Sequence, residues 1–464
     1  MNSATRSSRL TAALCAVSAL GALSALVVGG NAAAEPMRLS MQEAMRLALD
    51  SAPATQISQF EIDAAVATRR EAIGAFLPAV DLTLRRSTRT FNLEASGFPA
   101  PPGSDEVIGP FDGYEARVRV QQPLLDLASW SRLREASHSA DATRSDRERT
   151  LEEAAQSAAL AYLRAARSSA TRDARDSDLR LAEEFLSAAR DREAAGTVAG
   201  IEVTRAETRV TAARSARLSA EHGWDRAQVT LALTLGIDPS SRFELADDLD
   251  VTDVTDATEQ TATGDAIDGA IGGAVERALV ARAELERDEA SLRATEARIT
   301  GIGREGLPAL RLSADYGWDG IALDRMHATG QLALELTTPL FDGQRRNSRQ
   351  ERERARLGAL QSRQRALRDR IAAEVRSAAL DLASANEQAD VTEEQLRLAE
   401  LEVAQARDRF ENGISGNLEV IEAQSSRVQA QDARIDARFR VAVARVDLQR
   451  ALGSLRADLE ESVR

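Results

Sequence analysis

The side chains that most often carry out catalysis are scarce in this sequence. It has three histidines, His138, His222 and His327, and none shares a spacing with another histidine, a thiol or an acid that would make a catalytic set. No glycine-rich phosphate loop and no cluster of metal ligands occurs. We interpret each histidine as an isolated surface or packing residue. These residues therefore predict no enzyme, no bound metal and no cofactor.

The N-terminus has the pattern of an export signal. Two arginines precede an apolar stretch at 10–28, and three alanines at 32–34 offer a small-residue cleavage site. Cleavage there would remove residues 1–34 and with them Cys15, so we expect an exported mature protein without a thiol. After this segment no uninterrupted apolar run reaches the roughly 18 residues of a membrane-spanning helix. Any membrane insertion is therefore expected to use strands.

The composition favours long helices and argues against nucleic acid as a partner. Aromatic residues make up only 3% of the 464 residues, and the formal net charge is −14. Alanine, leucine, arginine and glutamate dominate, as is typical of long helices. A nucleic-acid-binding protein needs a basic face toward the phosphates, and this acidic balance predicts none.

The second half of the chain repeats the first. A nearly constant offset of more than 200 residues indicates duplication of a whole structural unit rather than a short solenoid repeat. Three motifs recur in the same order: Leu-Pro-Ala at 77–79 and 307–309; Pro-Leu-Leu-Asp at 123–126 and Pro-Leu-Phe-Asp at 339–342, 216 positions apart; and a glycine six residues before Glu-Val at Gly196 and Gly413, 217 positions apart.

Each repeat is predicted to contain a leading helix, two strands and a long helical hairpin. The leading helix of the first repeat is expected at 37–76, with a capping box at Ser40 and Glu43. The long helices lack internal proline and would each span roughly 100 Å. The predicted segments are a first repeat at 35–236 with a β-hairpin at 79–123 and a helical hairpin at 125–236; an Asp/Thr-rich linker at 237–273; and a second repeat at 274–464 with a β-hairpin at 308–339, a helical hairpin at 341–453 and a short tail.

Period-two alternation identifies the predicted strands, with residues 91–113 expected as the loop of the first hairpin. Such alternation over about ten residues is typical of transmembrane β-strands, which are apolar toward lipid and polar toward the lumen. Aromatic residues at strand ends support this interpretation, because they favour membrane interfaces. The positions expected to face outer-membrane lipid are Leu310, Leu312, Tyr316, Trp318, Leu332, Leu334 and Leu336.

Four strands per chain cannot close a barrel. Open strand edges in lipid would leave backbone groups unpaired at a cost of several kcal/mol each, so chains must combine. Two chains would supply eight strands and three would supply twelve. Side chains fill an eight-stranded barrel, whereas a larger barrel can leave an open lumen. A pore therefore favours three chains.

Taken together, the ordered motifs resemble those of the outer-membrane efflux protein family, the TolC-like channels. The resemblance covers residues 37–455 and rests on segments 39–44, 76–78, 122–124, 339–343 and 409–413. It implies a homotrimer in the bacterial outer membrane, with a twelve-stranded β-barrel on an α-helical tunnel that extends into the periplasm. It also implies the exit duct of a tripartite efflux pump or a type I secretion system, joined to a periplasmic adaptor (membrane fusion) protein and an inner-membrane transporter.

The resemblance assigns roles to the ends of the helical hairpins. They would be periplasmic tips that dock the adaptor, through Gly196, Gly200, Gly413 and Gly416. Acidic residues line the constriction in the family, and the matching positions are Glu202, Glu419 and Glu422. Glu419 and Glu422 share one helix face. In a trimer the three positions together would place nine carboxylates near the axis, and this ring would attract cations. The alternative is that these glutamates lie on solvated first turns, where the helix dipole favours acids.

Two points remain open at this stage. Some relatives close the entrance with an arginine and a tyrosine on the second tip, where this chain has Ser415 and Phe410, so that network is not transferred. The competing hypothesis for the whole chain is a soluble periplasmic coiled-coil adaptor or scaffold, in which the alternating segments form a small sheet.

Overall fold

The computed structural model describes residues 37–92, 107–247 and 265–461, together with Ala95, Gly97 and Leu249. The predicted signal at 1–34 and most of the second half of the predicted linker lie outside these residues. The elements in chain order are β1 (Met37–Leu39), α1 (Met41–Ser51), α2 (Pro53–Gly74), β2 (Ala79–Asn92), β3 (Val107–Leu125), α3 (Leu127–Ala194), α4 (Gly200–Leu235), β4 (Phe243–Leu245), α5 (Asp265–Ala281), α6 (Ala283–Arg304), β5 (Ala309–Gly320), β6 (Met326–Thr337), α7 (Arg345–Glu411), α8 (Asn417–Leu452) and α9 (Leu455–Glu461).

The start of the first repeat differs from the single helix predicted at 37–76. A short strand, β1, comes first, and the helix is divided into α1 and α2 at Pro53. Proline lacks the backbone N–H and forces the preceding residue, Ala52, into an extended conformation. The predicted capping box is confirmed: the Glu43 N–H donates to Ser40 Oγ at 3.2 Å, and the Ser40 N–H donates to the Glu43 carboxylate at 2.8 Å.

The described part of the predicted linker contains secondary structure. Strand β4 lies within it and pairs in parallel with β1, which is about 200 residues earlier in the chain. Tyr162, fully buried in α3, donates to the Asp247 carbonyl at 3.3 Å and accepts from the Asp247 N–H at 3.0 Å. Burial raises the pKa of the Tyr162 phenol. Residues 237–247 of the linker therefore belong to the main core. They lie beside an alanine-rich stretch of α3 that packs on α1 and α4.

The two longest helices, α3 and α7, have 68 and 67 residues, which corresponds to about 100 Å each. The aspartate of the repeated Pro-Leu-Leu/Phe-Asp motif lies just before each of these helices and accepts hydrogen bonds from its first turn. Asp126 accepts from two N–H groups of α3, and Asp342 accepts from the Arg346 N–H. At the other end each helix is followed by a glycine in the left-handed conformation, with φ of 72° at Gly196 and 73° at Gly413. The helices then reverse direction into α4 and α8. No helix in the described ranges is both long and apolar enough to cross a membrane.

The strands of the two repeats form one four-stranded antiparallel sheet in the order β2-β3-β5-β6. These strands make their contacts almost entirely with one another rather than with the helices. The predicted loop at 91–113 is wrong at both ends, because β2 continues to Asn92 and β3 begins at Val107, opposite it. Backbone pairing between β-favouring residues such as Phe91 and Ile108 outweighs the local glycine and proline content there.

Candidate functional site: a two-faced sheet and two helical tips

One face of the sheet is continuously apolar. Residues directly opposite each other on paired strands point to the same side, and the register places Leu334 opposite Leu312 and Tyr316 opposite Val118. All seven predicted lipid-facing positions share this face. Leu332, Leu334 and Leu336 on the edge strand are 63–74% exposed, whereas Leu310 and Leu312, between two neighbouring strands, are half-buried. An exposed apolar face of this extent indicates a contact with something other than water.

The opposite face is charged and internally paired. Arg117 forms ion pairs with Asp315 and with Glu115, the latter at 3.0 Å, and it donates to Thr329 at 3.0 Å. Asp319 accepts from Thr329 at 2.7 Å. His327 lies on β6 opposite Asp319. The sheet therefore has one polar and one apolar side, as a strand wall between an aqueous lumen and lipid requires.

Large exposed side chains mark both ends of the apolar face. Tyr316 and Trp318 stack edge to face at 5.4 Å at one end. At the helical end Leu340 is 93% and Phe341 82% exposed, and Trp130 is half-exposed. The strand from Trp318 to the first residue of β5, Ala309, is about 30 Å long, or roughly 21–25 Å after the usual tilt, close to the apolar band of outer-membrane barrels. The sequence did not predict that Leu340 and Trp130 mark this end of the apolar face. Both lie shortly after a strand, and that position was the signal that could have identified them.

The three candidate gate carboxylates lie at the tips in different environments. The Glu202 side chain is largely buried and accepts from the Asn417 N–H at 3.2 Å, while the Asn417 amide donates to the Glu202 carbonyl at 2.8 Å. Glu419 is about half-exposed and pairs with Arg409 at 3.2 Å. Glu422 is exposed and has no ion pair within the described ranges. The structure thus brings Glu202 to the start of α8 and leaves Glu422 free.

An arginine that the sequence analysis missed joins the two tips. Arg192, in the last turn of α3, donates to the carbonyl oxygens of Phe410 at 2.6 Å and Glu411 at 2.7 Å. Its guanidinium also lies 4.4 Å from the centre of the Phe410 ring, which packs on Phe185 at 5.2 Å. These carbonyls belong to the last turn of α7, which has no helical partners for them and favours a positive charge. Arg192, Glu202 and Asn417 therefore form a clamp between the tips.

The tip glycines have open surroundings. A side chain added at Gly196, Gly413 or Gly416 would meet no other atom within 4 Å, and at Gly200 it would meet only the end of the Glu193 side chain. Apolar residues next to these glycines are exposed: Ile201, Ile414 and Leu418. Each tip thus presents a small apolar surface to its surroundings.

Buried charges in the helical body have structural roles. Asp178 is buried and pairs with Arg209 of α4 at 3.0 Å and with Arg427 of α8 at 3.7 Å, which ties three helices together. Burial raises the pKa of the Glu152 carboxyl, which accepts from the first turn of α9. Within the described ranges, no group of three or more histidine, cysteine or acidic residues could hold a metal ion.

Comparison with known proteins identifies the family. The model of the family described as outer membrane efflux protein matches residues 44–237 and 274–454. The chain belongs to the outer membrane efflux protein family. This membership confirms the outer-membrane location and the efflux function, and it favours them over the soluble scaffold. A search of curated protein sequences gives no match.

Solved structures of outer-membrane proteins and channels confirm the mainly α-helical fold with its strand part. The outer membrane protein VceC of Vibrio cholerae is 18% identical, with a TM-score of 0.72 over 89% of this chain and 96% of that chain. The outer membrane channel CmeC of Campylobacter jejuni is 14% identical, with a TM-score of 0.73 over 91% and 89%. The open state of the MtrE channel of Neisseria gonorrhoeae is 17% identical, with a TM-score of 0.72 over 89% and 88%. These proteins are described as membrane proteins and channels, not as enzymes.

Proposed function

We propose that this protein is the passive exit duct of a tripartite efflux pump or a type I secretion system, without catalytic activity of its own. The observation that carries the proposal is the two-faced sheet. Its apolar face is exposed, its charged face is paired internally, and its edge strands β2 and β6 each leave one side unpaired. In lipid those edges must be paired, because no water is available to the backbone.

Three copies of the chain would pair the free edges of β2 and β6. Strand β6 of one copy would pair with β2 of the next, which gives a closed barrel of twelve strands with the apolar face toward outer-membrane lipid. The charged face around Arg117 and Asp315 would then line the lumen. Helices α3 and α7, each about 100 Å long, would continue this lumen into the periplasm as a tunnel.

The tips would dock a periplasmic adaptor protein, which connects the duct to an inner-membrane transporter. The support is the open space at Gly196, Gly200, Gly413 and Gly416 and the exposed apolar residues beside them. An apolar patch of this kind, ringed by polar residues, is typical of a protein contact.

The first test is the native mass of the protein extracted in mild detergent from separated outer membranes. We expect a complex of three times the mature chain mass. Because the mature chain is predicted to lack cysteine, a Gly416→Cys variant allows site-specific cross-linking in the same extraction, and it should capture a periplasmic partner. A monomer released in the soluble periplasm would contradict the duct. A trimer whose tip captures nothing would contradict adaptor docking alone.

The acidic residues of the tips are proposed to make the tunnel entrance prefer cations. Glu419 and Glu422 would form the ring, and Glu202 would add its charge from the clamp. In planar bilayers under a salt gradient, Glu419→Gln/Glu422→Gln should lose most of the cation preference of the reversal potential. The matched control is Glu387→Gln/Asp390→Asn, which removes two exposed carboxylates of α7 that lie about 30 Å from Glu419 and Glu422 along the antiparallel hairpin, well beyond the ~8 Å screening length. Equal shifts in both variants would contradict a local ring.

A further inference from the structure

Helix α7 has a strongly uneven charge distribution. Its first half, residues 345–376, contains eleven arginines and four acidic residues, whereas its second half, residues 377–411, contains three arginines and nine acidic residues. The chain as a whole is acidic, with a net charge of −14, so the basic half is a local feature. It is also the half that begins next to the apolar sheet.

Four of these arginines lie on one edge of the helix. They are Arg345, Arg352, Arg363 and Arg370, and all four are exposed. Their spacings of 7, 11 and 7 residues correspond closely to two, three and two helical turns, so the four side chains lie nearly in line along the helix. Arg345 and Arg352, named here the juxtamembrane pair, follow directly after the exposed Leu340 and Phe341. Arg363 and Arg370 are the distal pair.

The distance from the sheet separates the two pairs. Arg352 lies about 10 Å below Arg345 along the helix, whereas Arg363 and Arg370 lie about 27 and 38 Å below it. A bilayer headgroup layer is only about 5–7 Å thick beyond the hydrocarbon. If Leu340 and Phe341 sit at the hydrocarbon boundary, the juxtamembrane pair lies in or just below the headgroup layer and the distal pair lies in water.

Among the described residues, the charge of the juxtamembrane pair is only partly offset by acidic partners. Arg345 donates to the Asp342 carbonyl at 3.1 Å and forms no ion pair within the described ranges. Arg352 contacts Glu353 at 3.2 Å, but that carboxylate is also paired with Arg356 and Arg298. Glu353 is thus shared by three arginines, of which Arg298 also pairs with Glu135 at 2.6 Å, so three arginines face two carboxylates and a positive charge remains at the helix surface.

We propose that Arg345 and Arg352 bind the phosphate groups of anionic phospholipids in the leaflet that faces the periplasm. The exposed apolar pair Leu340 and Phe341 would hold the acyl region, and the guanidinium groups one to three turns below would bind the headgroup. Arginine suits this role because its planar donors match phosphate oxygens. This inference rests on the proposed insertion of the sheet into the outer membrane.

The test compares the purified trimer with two double variants. Wild-type protein, Arg345→Gln/Arg352→Gln and the matched control Arg363→Gln/Arg370→Gln are titrated with phosphatidylglycerol in detergent, and bound lipid is counted by native mass spectrometry. We expect wild type and the control to bind phosphatidylglycerol equally. The juxtamembrane variant should bind about fivefold more weakly for each arginine removed. None of the three should retain phosphatidylcholine.

Other outcomes would overturn the inference. Equal weakening in both double variants would show diffuse attraction along the whole stripe, and no weakening would show that these arginines do not bind lipid. If the juxtamembrane variant dissociates in lipid-free detergent, the pair contacts a second copy of the chain instead. Insertion of wild type into phosphatidylcholine vesicles is scored separately, so that a failure of membrane insertion is distinguished from a failure of lipid recognition.

Discussion

Replacing Leu334 with arginine is expected to prevent the protein from assembling in the outer membrane. Leu334 is 63% exposed in the middle of the apolar face, opposite Leu312. An arginine on the lipid face of a barrel costs about 2–4 kcal/mol near the bilayer centre, and a trimer would carry this cost three times. The measurement is the fraction of protein in separated outer membranes and the amount of native trimer extracted from them.

The control for Leu334→Arg adds the same charge to the other face. Gln331 lies on the charged side of the same strand, opposite Asp315, so Gln331→Arg should leave the membrane fraction and the trimer unchanged. If both variants reach the membrane equally, the apolar face does not contact lipid. If neither variant reaches the membrane, the edge strand tolerates no added charge on either face. That result would not support a lipid-facing role for the apolar face.

Replacing Arg192 with alanine is expected to open the tunnel entrance. The variant loses two hydrogen bonds from a charged donor, to the carbonyls of Phe410 and Glu411, and hydrogen bonds to or from charged groups contribute about 1.5–3 kcal/mol each. It also loses the contact with the Phe410 ring. Without the clamp the end of α7 is free to move away from α3, so single-channel conductance in planar bilayers should rise several-fold while the trimer mass stays constant.

The matched control for the clamp is a neighbouring arginine on the same helix. Arg190 is exposed and pairs with Glu207 of α4 at 2.7 Å, within its own hairpin. Arg190→Ala should therefore leave the conductance at the wild-type value. An intact Arg192→Ala trimer with unchanged conductance would show that this clamp does not control the entrance.

The clamp also accounts for the departure from the family pattern at the second tip. Phe410 has no hydroxyl to donate, and the structure uses its backbone carbonyl and its ring instead, both through Arg192. Ser415, at the position of the family arginine, has a buried hydroxyl with no hydrogen-bond partner among the described residues. Asn417 makes the polar link to the first tip through Glu202. The tips are thus joined by Glu202 and Phe410, at positions that the family resemblance pointed to, and by Arg192 and Asn417, at positions that it did not.

The sequence alone determined the features that depend on near neighbours along the chain. Alternation at 310–319 and 332–337 predicted the strands and their apolar face, and the capping box at Ser40 follows from a spacing of three residues. The long helices follow from an unbroken helical composition that ends at glycines with positive φ. The break at Pro53 was equally local and could have been predicted from the proline itself.

The tertiary structure decided the contacts between residues that are far apart in sequence. The pairing of β3 with β5 joins the two repeats. Strand β1 pairs with β4, which lies more than 200 residues later in the chain, and Arg192 contacts Phe410, which lies 218 residues later. No local pattern specifies these partners, because a strand edge or a helix end can be satisfied by many donors and acceptors. Packing of α3 against α4 and α8 brings the tips together, and only then does Glu202 become a partner of Asn417 rather than a free carboxylate.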